Sequence, residues 1–151
     1  LKQRNKMLDV SLDNIESLLK LGLIKVNLVY PISKNSHFRL ENDLSVRLSN
    51  DAVIVIPRNF EFDGSSAPRG IWWLFPSYGD FFFAALIHDY LYSTKYLSDD
   101  FGFNFAQKFA DDEMLIWSNK LNNKTYWKIV DNQMRYRAVR WFGKRVYNKN
   151  K

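Results

Sequence analysis

The chain has 151 residues, 46% of them hydrophobic and 25% charged, which excludes a disordered or collagen-like chain and fits one globular domain burying roughly 70% of its unfolded surface. The absence of cysteine excludes disulfides, thiolate metal sites and a Cys nucleophile, and no run reaches the ~18 apolar residues of a membrane span. A formal net charge of +6 permits an anionic partner without requiring one, and no signal-peptide pattern follows Leu1.

Asp13 and Glu16 have the spacing of a capping box ahead of Leu18, Leu19 and Leu21, and Gly22 offers a stop, so a short helix is predicted over 11–21. From Leu23 the texture becomes β-branched and alternating in "LIKVNLVY", "HFRLEN", "LSVRLS" and "AVIVIP". Asn35-Ser36, Asn42-Asp43 and Asn50-Asp51 supply turns, giving three or four strands in residues 23–57. Three prolines and three glycines make 57–79 a structured loop. Helices are predicted over 81–92, 103–119 and 126–147, the last with Trp127, Val130, Met134, Ala138 and Trp141 on one stripe. The expected fold class is α+β: a small antiparallel sheet in the N-terminal half packed against about three C-terminal helices. Residues 1–22 read as an extension with a short helix, 23–147 as a single domain and 148–151 as a tail.

Four clusters carry candidate chemistry. In "FFFAALIHDYLYS" a helix places His88 on the face of Ala84, Ala85 and Tyr92, with Asp89 turned about 100° away. The two side chains are therefore expected to address different partners, as a base and a metal ligand on one rigid element do, or as a buried histidine bonded to backbone does. In "FEFDGSSAPRG" a turn holds Asp63, Ser65, Ser66 and Arg69, either as a tight turn after a strand or as a loop-borne site. "FADDEM" puts Asp111, Asp112 and Glu113 on one turn, by default a solvated face, with one acid able to face His88 across a helix pair. From Lys124 to Lys151 nine Lys/Arg face a single acid, Asp131, but they scatter around the helix rather than forming one basic face.

In this order, "IPRNFEFDGSSAPRG", "FPSYGDFFFAALIHDYLYS", "FADDEML" and "RYRAVRWFG" resemble the phage and prophage family called domain of unknown function 1353. Asp63, Gly64, Ser66, Pro68, His88, Asp89, Leu91, Tyr92, Ala110, Asp111 and Gly143 fall on its pattern positions, within a match from Val53 to Gly143. Two departures are visible. Ser65 replaces a small Ala, and "KYLSDDFGFN" looks inserted, so that Asp111 lies 23 residues beyond His88 and Asp112 competes for its role. The resemblance implies a phage or prophage source but no agreed activity.

A looser resemblance, to the secreted and parvoviral phospholipases A2, rests on His-Asp-x-x-Tyr followed by a distant Asp. It implies His88 as the base, Asp89 as a calcium ligand and Asp111 as the residue orienting the base. The disulfides and the Gly-x-Gly calcium loop of those enzymes are missing here.

Three functions follow as expectations. The first is a virion-associated or host-interaction domain, located in the virion or the host cytoplasm, with the "IWWLFPSYG" aromatics as anchors for a phage or host protein. The second is a hydrolase with His88 as base, Asp111 or Asp112 behind it, and Asp89 and Asp63 on a divalent cation such as calcium. The third is nucleic-acid binding through the basic C-terminal segment.

Overall fold

The computed structural model describes residues 6–29, 37–62, 81–121 and 132–141. The chain divides into two compact units, Leu1–Asp63 and Gly64–Lys151. The first carries the strands and the second most of the helix, an α+β composition as expected.

In the first unit the expected single antiparallel sheet is instead two three-stranded sheets. One joins β1 (Leu8–Val10), β4 (Leu44–Arg47) and β5 (Val53–Ile56) in the order β1-β4-β5. Here β1 lies parallel to β4, so residues read from sequence as an extension supply a strand. Alternation along β4 and β5 puts Leu44, Val46, Ile54 and Ile56 on one buried face, joined by Val10. Each such side chain contributes about 1.5–3 kcal/mol when fully buried. The β4–β5 hairpin closes at the expected Asn50-Asp51. Asp51 adopts φ 64, and the Asn50 side chain accepts a hydrogen bond from the Ala52 amide.

The other sheet joins β2 (Val26–Val29), β3 (His37–Leu40) and β6 (Glu61–Phe62), all antiparallel. Phe38 and Phe62 stack across β3 and β6 with ring centroids 5.6 Å apart, while Arg39 and Glu61 pair on the exposed face at 2.6 Å. Asn42, an expected turn residue, accepts a bond from the Lys25 amide and donates one to the Leu23 carbonyl.

Helix α1 (Ile15–Lys20) is shorter than predicted and Asp13 does not cap it. Asn14 is the N-cap, and its side chain bonds the Ser11 amide and the Asp9 carbonyl instead. The stop is as expected: Gly22 takes φ 65, and the Gly22 and Leu23 amides reach the Leu19 and Leu18 carbonyls in a Schellman pattern.

The second unit holds α2 (Phe81–Thr94), α3 (Ser98–Phe101), α4 (Phe103–Leu121) and a helix over 132–141, α5. Helix α2 buries Phe83, Ala84, Ala85, Leu86, Ile87 and Leu91, apolar on every side as a core helix is. Contacts from Phe83 to Trp117, His88 to Asp111 and Tyr96 to Phe109 make α2 and α4 antiparallel. Asn132 to Asn119, Tyr136 to Asp112 and Arg140 to Asp111 do the same for α5 and α4. Thus α4 packs against both α2 and α5. The stretch read as an insertion forms the short α3, entered through Lys95 and Leu97, both at positive φ.

Candidate functional site

Asp111 is the centre of the polar cluster. It lies on α4 with no exposed surface, and three donors from two neighbouring helices converge on it. On Oδ1 it accepts from His88 Nε2 at 2.8 Å and from the Tyr92 hydroxyl at 2.6 Å. On Oδ2 it accepts from Arg140 Nη1 at 3.0 Å. His88 and Tyr92 stand one helical turn apart on α2, as the spacing predicted, and their rings lie 4.0 Å apart. The inserted residues do not displace Asp111 from His88. Asp112 turns elsewhere, accepting from the Tyr136 hydroxyl at 2.6 Å and from Lys108 Nζ at 2.5 Å.

His88 hydrogen-bonds Asp111 rather than its neighbour Asp89, whose Oδ1 lies 3.6 Å from His88 Nδ1, an ion-pair distance outside hydrogen-bond range. One expectation fails here: the acidic triplet is not a solvated face, for Asp111 and Glu113 are 0% and 1% exposed. Helix α4 has partners in both α2 and α5, and Glu113 accepts from the Trp117 indole N–H at 3.0 Å.

The electrostatics follow from these contacts. Burial by itself lowers the affinity of His88 for a proton. The hydrogen bond and charge of Asp111, followed by those of Asp89, outweigh it and push the imidazole up to about 9. Burial and Asp111 push the Tyr92 hydroxyl upward, while Gln107 and Arg140 pull the other way. Tyr136 is raised to about 12, by burial first and then by Asp112.

Asp63, Ser66 and Arg69, together with the Trp72-Trp73 loop, lie outside the described residues. Among the described residues no three His, Cys, Asp or Glu side chains gather as metal ligands. The described residues alone therefore do not fit the calcium site that the phospholipase resemblance implies.

Arg140, Tyr136 and Gln107 escaped the sequence reading. Arg140 stands inside "RYRAVRWFG", and a buried acid cluster facing one histidine needed a further cation. That demand was the signal available.

With this geometry in place, comparison with known proteins decides the family. A family model described as Protein of unknown function (DUF1353) matches residues 38–139. The chain belongs to this family. The match takes in His88, Asp89, Tyr92, Asp111 and Asp112 and stops one residue short of Arg140. No curated protein and no solved structure gives a significant match. No helix among the described residues is long and apolar enough to cross a membrane.

Proposed function

We propose that this domain is a hydrolase of esters in which His88 is the general base and Asp111 orients it. The carrying observation is the 2.8 Å contact between His88 Nε2 and a carboxylate with no exposed surface, on a histidine that keeps about one tenth of its side chain exposed. Asp111 holds the proton of neutral imidazole on Nε2, which leaves the Nδ1 lone pair to take a proton from water. The water oxygen then bonds to the ester carbon, and the proton held on Nδ1 passes to the departing alkoxide. Asp89, 3.6 Å from Nδ1, stabilises the imidazolium formed between these steps.

Since both carboxylates raise His88 to about 9, the base form grows as pH rises through that value, and so should the rate. The test is hydrolysis of p-nitrophenyl acetate and of diacylphosphatidylcholine vesicles, with and without calcium. Wild type should turn over at least one of them, and His88→Gln should lose about 100-fold or more while keeping its circular dichroism. Absence of turnover, or turnover unaffected by His88→Gln, sinks this reading.

A second reading is a phage particle or host-interaction domain, in the virion or the host cytoplasm. It is favoured by the exposed aromatic rings Phe101, Phe103, Phe105 and Trp141, the last 80% exposed. Its test is a stoichiometric amount of the protein in purified particles; absence from them counts against it.

A further inference from the structure

Helix α5 is inverted relative to an ordinary amphipathic helix. Its contacts with α4 are polar, from Asn132 to Asn119, Tyr136 to Asp112 and Arg140 to Asp111. The apolar stripe anticipated from the sequence turns outward instead. Met134 is 40% exposed and Trp141 80%, with Ala138 half-buried between them. A helix on a globular domain normally buries such a stripe, and an exposed one marks a surface for a partner. Arg137 stands on the same side, three residues after Met134 and four before Trp141. It is exposed and makes no ion pair among the described residues.

A second exposed apolar surface lies on the same unit, where α3 meets α4. Phe101 and Phe105, 62% and 49% exposed, stack with ring centroids 5.0 Å apart. Asp99 and Asp100 directly precede them in α3, both exposed and without an ion pair among the described residues.

These two surfaces complement each other. One combines apolar side chains with an unmatched cation, and the other combines aromatic rings with two unmatched carboxylates. Neither suits a copy of itself, because like charges would then be opposed as the rings lost their water. Opposed to one another, they let Trp141 meet the phenyl pair while Arg137 reaches the carboxylates. A chain that carries both surfaces carries its own partner.

We propose that the α5 stripe of one chain packs on the α3–α4 aromatic surface of a second copy, and that two-fold repetition of this contact makes the protein a dimer. The assignment is independent of the hydrolytic reading of His88. It goes beyond the interaction reading by giving the exposed rings a definite occupant.

The test is sedimentation equilibrium of the full chain from roughly 1 to 300 μM, with phosphatidylcholine vesicles as a competing occupant. The wild-type mass should rise from one chain to two across that range. Trp141→Ser and Phe105→Ser change exposed rings and should keep the circular dichroism, yet each should weaken association about tenfold or more. Arg137→Glu and the double variant Asp99→Lys/Asp100→Lys should each weaken it as well. An equimolar mixture of these two should associate at least about fivefold more tightly than either alone. In the mixed pair one contact is the wild-type one, and the other joins the exchanged charges.

A wild type that stays monomeric across the range overturns the proposal, as does association unchanged by Trp141→Ser or Phe105→Ser. Failure of the mixture to recover overturns the pairing of unlike surfaces. Monomers that partition onto the vesicles assign the rings to lipid and overturn it too.

Discussion

Removing the proton from His88 should cost this fold a measurable part of its stability. The imidazole binds its proton at about 9 in the folded chain and near 6.5 when free of the fold. The folded state therefore holds this proton more tightly, and the resulting stabilisation is full below about pH 6.5 and lost as pH rises through about 9. Moving the binding equilibrium between those values is worth roughly 3 kcal/mol, a large share of the 5–15 kcal/mol by which domains are stable. His88 is nearly buried, so solvent screening takes little from that figure. The assay is urea unfolding followed by tryptophan fluorescence from about pH 6 to about pH 9.5, in wild type and in His88→Gln. Wild type should lose roughly 3 kcal/mol across the window, and the variant should stay nearly flat. Titrations common to both chains cancel in the comparison. A wild-type curve as flat as that of the variant, or an NMR titration of His88 near 6.5, would refute the argument.

Other outcomes follow from the same contacts. Asp111→Ala leaves His88, Tyr92 and Arg140 without their shared acceptor and should cost about 3–5 kcal/mol in urea unfolding, against about 1 kcal/mol or less for the partly exposed Asp112→Ala. Tyr92→Phe deletes one of the two donors on Asp111 Oδ1 and should destabilise by about 1–2 kcal/mol. It should also move His88 above about 9, which an NMR titration would register. Phe83→Ala opens a cavity against Trp117 in the α2–α4 core and should cost about 3–5 kcal/mol by thermal or urea unfolding. Phe101→Ser changes a ring that is 62% exposed and should stay within about 0.5 kcal/mol of wild type in the same measurement.

Much of the local structure was legible from residue pattern alone. The apolar run before His88 gave α2, the Asn50-Asp51 pair gave the β4–β5 turn, and Gly22 gave the stop of α1. These signals act over a few residues, through backbone freedom and side-chain periodicity, so a linear reading captures them. The pairing of His88 with an acid of the triplet was also anticipated, because an inward histidine on a core helix requires a partner.

The family resemblance already pointed to Asp111, with Asp112 as its competitor; packing decided between them and supplied the rest of the company. Asp111, Asp112 and Glu113 are equivalent in local periodicity, but α4 packs against both α2 and α5, and that arrangement buries the first and third and leaves the second partly exposed. Arg140 reaches Asp111 from 29 residues away because α5 returns antiparallel to α4, a register no local signal encodes. For the same reason Leu8–Val10 read as an extension until its parallel pairing with β4 made it a strand. The sequence by itself determined the helices, the turns and a buried histidine in need of a carboxylate. The tertiary structure decided for Asp111 over its competitor Asp112 and brought Tyr92 and Arg140 to share it, because long-range contacts select among positions that short-range chemistry leaves equal.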